Sequence, residues 1–357
     1  MKGVILAGGS GTRLRPLSYT GPKQLIPIAN KPNLLYCLDD IREAGITEIG
    51  VILGNNMPEK VRELLGDGSK YGVKVTYIVQ GEPKGIAHAV HCAKDFVAGE
   101  PFVVYLGDNL LRGGIGGLVR DFKEKKADGA IALCRVKNPS AFGVAVLDGQ
   151  GRVVRCVEKP KEFLSDLAVI GIYLFTPKVF DVIEHLKPSK RGELEITDAI
   201  TGVIEAGGFV HSWTVEGWWK DTGKPEDILE ANHLVLDELE GKVEGTVEEG
   251  AQLTGRVVVG PRTVIEKGAR IRGPVLLGAD CHIGPNAYIG PYTSIGDGST
   301  VADSEVEGSM VLDHVTIRCR RKLVDSIVGP YSQVLSAEGF VPEGARVVIG
   351  DYTTVRI

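Results

Sequence analysis

The first residues suited to chemistry are Gly8-Gly9-Ser10-Gly11-Thr12-Arg13-Leu14, with Lys23 ten positions beyond Arg13. Glycine lets backbone N–H groups surround phosphate oxygens, and Arg13 and Lys23 add the positive charge that a polyphosphate needs. The stretch lacks the Lys-Ser/Thr ending of a Walker loop, and Leu14 stands where a dinucleotide fingerprint has its third glycine. ATPase and dehydrogenase readings are thereby set aside. A glycine turn after a strand also has a purely geometric reading, so the loop alone says only that phosphate is a candidate ligand.

Carboxylates come next. Asp108, in Leu106-Gly107-Asp108-Asn109, follows a strand pattern, at the end where open α/β sheets bind ligands. An Asx-turn is the alternative, for which Gly-Asp-Asn is ordinary. Asp221, in Trp218-Trp219-Lys220-Asp221-Thr222-Gly223, offers a second carboxylate. Magnesium binds through one or two carboxylates plus phosphate oxygens and water, so Asp108 and Asp221 suffice for Mg²⁺ if the fold brings them together. Glu158-Lys159-Pro160 follows strand-like Val153 to Val157; the proline stops the strand and leaves two charges facing either a pocket or solvent. Arg191-Gly192-Glu193-Leu194-Glu195-Ile196-Thr197-Asp198 mixes charges at a helix entry, where Thr197 or Asp198 is a cap candidate.

Two kinds of element have to position these groups. Up to residue 236, short apolar strands alternate with amphipathic helical patterns, the mark of an α/β layer with a largely parallel sheet. Strands are predicted at Val4–Ala7, Ile49–Leu53, Val73–Ile78, Phe102–Leu106, Gly129–Arg135, Gly143–Leu147 and Ile170–Phe175. Helices are predicted at Leu34–Glu43, Glu59–Leu65, Ile86–Asp95 and Val179–His185. From Leu253 the period becomes six, with aliphatic residues at 253, 259, 265, 271, 277, 283, 289, 295 and 301 and glycine following several of them. Each repeat reads as one short strand and corner of a β-helix, with the aliphatic residues stacked inside. The register slips after Val301 and resumes at Val311, which suggests a loop protruding from a corner. The predicted domains are 1–236, a linker 237–250, and a β-helix 251–357.

Composition bounds the rest. The 24% charged and 43% hydrophobic content is that of a globular protein, and no apolar run approaches the ~20 residues of a membrane span. The chain opens directly into a strand pattern with no signal sequence, so a cytoplasmic location is expected. A formal charge of −5 argues against nucleic acid as a partner. The six scattered cysteines suggest neither disulfides nor zinc and read as buried thiols. His282 and His314, the β-helix histidines, sit in no catalytic pattern, which leaves the repeat domain as an assembly device first and an acyltransferase second.

Taken in order, LAGGSGTRLRPLSYTGPKQLIPIANKP, QGEPKGIAHAV, LGDN, FGV, VEKP, AVIGIYLF, RGELEITD and WWKDTG resemble the sugar nucleotidyltransferase family along the whole chain, and within it the long-form glucose-1-phosphate thymidylyltransferases. The resemblance implies a Rossmann-like, mostly parallel sheet followed by a left-handed parallel β-helix. It implies that Arg13 and Lys23 hold a triphosphate, with Leu6, Gly8, Gly9, Gly11 and Thr12 around it, and that Gln80 and Gly85 read the base. Asp108 and Asp221 would share Mg²⁺. Lys159 would bind the sugar phosphate, near Asp108, and Gly143, Glu158, Val169, Glu193 and Glu195 would line the sugar side. One departure is His88, where short-form relatives carry glutamine. The implied substrates are dTTP and glucose 1-phosphate, in a homo-oligomer, a trimer through the β-helix. Rival readings are a uridylyl- or guanylyltransferase on the same scaffold, an inactive regulatory subunit, and a bifunctional enzyme with an acetylating β-helix.

Overall fold

The protein is described from a computed structural model, in which residues 1–336 are described. The end of the expected β-helix, 337–357, lies outside the described residues. The chain forms two compact units. The first comprises residues 1–11, 20–25 and 33–221; the second comprises 12–19, 26–32 and the chain from Thr222 onward.

Within the first unit, strands β1 (Lys2–Ala7), β4 (Glu48–Leu53), β5 (Lys74–Val79) and β6 (Phe102–Leu106) run parallel in the spatial order β5-β4-β1-β6. The labels β2 and β3 belong to Pro27–Ile28 and Lys31–Pro32, a small antiparallel hairpin in the second unit. The nine-stranded sheet continues antiparallel through β11 (Leu167–Phe175), which pairs with β6, β8 (Gly129–Arg135) and β9 (Gly143–Leu147). Beyond these lie β10 (Val153–Glu158), antiparallel to β9, and β12 (Val210–Thr214), parallel to β8. Strand β12, with its polar His211 and Ser212, was not predicted, and neither was the helix α5 (Gly116–Glu124). The expected helix over 86–95 is two short ones, α3 (Ile86–His91) and α4 (Lys94–Val97).

Central strands carry apolar residues on both faces because both faces are covered, and the core divides accordingly into two clusters. Helix α1 (Asn33–Glu43) shows the logic. Its Leu34, Cys37, Leu38 and Ile41 recur at helical spacing and are fully buried in the same cluster as Ile5 and Val51, each large side chain contributing roughly 1.5–3 kcal/mol.

In the second unit, strands of two or three residues stack in three parallel ladders, forming a left-handed β-helix from Lys242 to Leu335. Val259, Ile265, Leu277, Ile283, Ile289 and Ile295 point inward with no exposure. After Val301 the inward positions are Val306 and Val311, so the register slip is two shortened corners rather than a protruding loop. Asp303 and Gly308 make those corners in the left-handed backbone region. All six cysteines are free, but Cys92 and Cys134 are only half-buried, contrary to the expectation of uniformly buried thiols.

Candidate functional site

The order β5-β4-β1-β6 places neighbouring strands whose connections leave in opposite directions, and ligands bind outside the carboxyl ends of such a pair. Here that pair is β1 and β6, with Leu6 opposite Leu106. The glycine loop follows the first strand and Gly107-Asp108 the second, and the Gly107 N–H donates to the Leu6 carbonyl at 3.0 Å.

At Gly54 glycine is required by backbone packing, whereas at Gly8 and Gly9 a Cβ would meet side-chain ends. A Cβ on Gly54, after β4, would lie 2.3 Å from the Gly8 carbonyl oxygen. One on Gly8 would lie 2.8 Å from Gln80 Oε1, and one on Gly9 would lie 2.9 Å from Lys23 Cε. Gly11 has φ +64°, which leads into a short 3₁₀ turn, Thr12–Leu14. Thr12 and Arg13 are exposed and belong to the second unit.

Lys23 forms an ion pair with Asp108 Oδ2, and both side chains are largely buried. The other oxygen, Oδ1, accepts from Asn109 Nδ2 at 3.0 Å. Asn109 in turn accepts from the Trp219 indole N–H at 2.7 Å. Strands β7 (Asn109–Leu111) and β13 (Trp219–Asp221) pair antiparallel with Asp221 opposite Asn109. The ladder therefore sets Asp221 opposite the residue that follows Asp108, a relation no sequence spacing could reveal. Asn109 and Trp219, buried or half-buried polar groups beside them, complete the scaffold and were not singled out.

The predicted sugar-side residues also converge. A Cβ on Gly143 would meet Thr197 Cγ2 at 2.6 Å, Glu158 Oε2 at 3.1 Å and Val169 Cβ at 3.9 Å, so these four share one wall. Arg191 joins it: Nη1 donates to Glu158 Oε1 at 3.0 Å and lies 3.6 Å from Glu195 Oε1, while Nη2 donates to Glu193 Oε2 at 2.9 Å. Lys159 Nζ stands 3.7 Å from Glu158, on a backbone with φ 42° whose N–H donates to the Phe142 carbonyl. Burial, followed by the neighbouring Glu195, pushes the Glu158 carboxyl above its ordinary range. Thr197 Oγ1 is buried without a hydrogen-bond partner, in a residue the sequence suggested as a helix cap. Its Cγ2 methyl is the part turned toward Gly143.

A backbone clip and an aromatic contact join these groups. Gly85, at φ 104°, leaves no room for a Cβ, which would sit 2.5 Å from the Leu194 carbonyl oxygen. Leu194 N–H donates to Lys84 O at 2.8 Å, and Ala87 N–H donates to Leu194 O at 3.1 Å, which clips the Gln80–Gly85 turn to the Glu193–Glu195 segment. Phe142 meets Trp219 edge-on at 5.6 Å between centroids and connects the sugar-side wall to the carboxylate ladder. Thus Leu6, Gly8, Gly9, Lys23, Gln80, Gly85, Asp108, Gly143, Glu158, Lys159, Val169, Glu193, Glu195 and Asp221 share the first unit; Thr12 and Arg13 do not.

Residues 2–238 match the model of the nucleotidyl transferase family, and the chain belongs to that family. It is 52% identical, over the full length of both proteins, to the low-salt glycan biosynthesis nucleotidyltransferase Agl11 of Haloferax volcanii. It is 46% identical to the glucose-1-phosphate thymidylyltransferase of Streptomyces antibioticus, over all of this chain and 99% of that one. Among solved structures, a Bacillus anthracis protein provisionally assigned as a glucose-1-phosphate thymidylyltransferase and bound to sucrose aligns with TM-score 0.63 and 39% identity. That alignment covers 68% of this chain and 98% of the other. No helix among the described residues is long and apolar enough to cross a membrane.

Proposed function

We propose that this enzyme joins dTTP to glucose 1-phosphate, giving dTDP-glucose and pyrophosphate. The observation that carries the reading is the Lys23 and Asp108 pair at the mouth between β1 and β6, with Asp221 set beside it by the β7/β13 ladder. A phosphate oxygen of the sugar 1-phosphate forms a bond to the α-phosphorus of the triphosphate. The bond from that phosphorus to the bridging oxygen breaks, and pyrophosphate leaves with the electron pair. The nucleophile is already anionic, so no covalent enzyme intermediate and no general base are needed.

The chain's task is to hold two polyanions in line and to balance the charge that builds up on the leaving oxygen. Lys23, already at the site, exchanges its carboxylate partner for triphosphate oxygens, and Arg13, which follows the glycine loop in sequence, is proposed as a second cation. Lys159 takes the sugar phosphate, while Gly143, Glu158, Val169, Glu193 and Glu195 bound the hexose. Gln80 and Gly85 face the base. Asp108 and Asp221 fit Mg²⁺ by their chemistry, two hard oxygen donors, one just before β7 and the other opposite its first residue. When bound, the metal would neutralise phosphate charge and fix the triphosphate's geometry.

UTP is the competing donor, since uracil and thymine present the same hydrogen-bonding edge. The test is pyrophosphate release with Mg²⁺, crossing the nucleoside triphosphates against glucose, galactose and N-acetylglucosamine 1-phosphates. Highest kcat/KM for dTTP with glucose 1-phosphate is expected; no release with any pair would sink the proposal. We also propose a homotrimer built on the β-helix. Its outward row Thr246, Val264, His282, Thr300, Thr316 and Gln333 is a nearly uncharged ladder suited to packing on a copy of itself. Sedimentation at the monomer mass would exclude it.

A further inference from the structure

His88 is a departure from the short-form pattern, and it lies beside the residue proposed to face the base. Gln80 directly follows β5, its backbone N–H donating to Leu53 O at 3.0 Å. Its side-chain Nε2 lies 3.5 Å from the Gly85 carbonyl oxygen and 3.3 Å from His88 Nδ1. A carbonyl only accepts, so the end of the Gln80 amide turned toward Gly85 is the NH₂ group. Its second hydrogen goes to His88, whose Nδ1 must then offer a lone pair and whose proton sits on Nε2, the nitrogen facing Cys92 Sγ at 3.9 Å. With both amide hydrogens committed, Gln80 can act on a ligand only through Oε1, the atom lying against Gly8 in the glycine loop.

We infer that His88 is a positioning residue for base selection, holding the Gln80 amide so that only an acceptor faces the base and thymine or uracil is preferred over cytosine. The inference rests on the functional reading above, in which Gln80 faces the nucleotide base. Thymine and uracil carry an N3–H that donates to such an acceptor; cytosine has a lone pair at N3 and is repelled. The groups facing His88 are Gln80, Lys84, His91 and Cys92. Burial, then the positive charge of Lys84 and the neighbouring His91, hold the His88 pKa below its ordinary 6.5, so the ring is neutral at neutral pH. Once protonated, Nδ1 becomes a donor. Nδ1 then no longer accepts from Gln80, and a flip of the amide would set Oε1 against the Gly85 carbonyl oxygen, so the amide loses its anchor and the preference weakens.

The experiment measures kcat/KM for dTTP and dCTP with glucose 1-phosphate in the wild type, His88→Leu and His88→Gln, from about pH 5.5 to about 8. In the wild type the dTTP/dCTP ratio is expected to be flat near neutrality and to fall as pH drops below 6.5. His88→Leu should lower the ratio about tenfold, mainly through KM, and remove its pH dependence. His88→Gln, which can still accept from Gln80, should restore most of the ratio without the pH dependence. An unchanged ratio in His88→Leu, or a wild-type ratio that does not vary with pH, would overturn the inference; the wild-type profile and His88→Gln decide it if His88→Leu does not fold. Failure of the wild type with both dTTP and UTP would instead remove the functional reading on which it stands.

Discussion

The two ends of the crevice are built differently. At the carboxylate end, position is set by backbone: glycines at 8 and 54 interlock, and the β7/β13 ladder aligns Asp221 with Asn109. At the sugar end, position is set by side chains: one guanidinium, Arg191, is shared among Glu158, Glu193 and Glu195, and a buried threonine hydroxyl stands without a partner. Backbone geometry is costly to change and independent of side-chain identity, whereas an ion cluster rearranges when any member is replaced. On the proposed reading, the triphosphate end is fixed by the fold and the choice of sugar is adjustable.

The strongest way to break this contrast is Asp108→Ala. It removes the carboxylate just before β7 and leaves Lys23 without that partner, and kcat should fall by about 10³-fold with the fold intact by circular dichroism. Near-normal pyrophosphate release would show that the rigid end does not do the chemistry. Gly143→Val comes next. The added side chain collides with Thr197, so kcat/KM for the sugar phosphate should drop about 10²-fold while KM for dTTP holds. A parallel rise in both KM values would mean the two ends are not separable. Arg191→Ala leaves three carboxylates without their shared cation and should raise the sugar-phosphate KM about tenfold, more at low ionic strength.

The smallest effect concerns stability. The Glu158 carboxyl is raised in the folded state, so folding favours its protonated form; that contribution is present at low pH and is lost as pH rises through the folded pKa. Glu158→Gln should therefore raise Tm at pH 7 by about 1–2 °C, with the gain vanishing in acid, while sugar-phosphate affinity declines. A lower Tm at pH 7 would show that the ionised glutamate is a structural asset of the cluster and not a functional cost.

What the sequence revealed follows the same division. The β-helix was legible because inward side chains recur at a fixed period, and only its slip was misread: a missing residue and an inserted loop both interrupt a period, and only coordinates distinguish Val301 to Val306 from a protrusion. Strands buried on both faces were legible as apolar runs, with β6, β8 and β9 matching their predicted bounds. Strand β12 alternates with polar residues and was not. Glycine positions signalled where backbone must approach. Contacts between distant positions were invisible: Trp219 and Asn109 are 110 positions apart, and Arg191 reaches Glu158 across 33. The orientation of the Gln80 amide is likewise a tertiary property, set by a carbonyl five residues away and a ring eight away.

The Gly8 and Gly54 interlock also bears on ancestry. Since a Cβ at position 54 meets a carbonyl oxygen at 2.3 Å, no other encoded residue can take that place without moving the loop. A lineage drifting from this sequence would keep residues 54 and 85 constant. It would write its history at 158, 191 and 197, so on the proposed reading an inventory of those three positions among descendants would record which sugars each accepts.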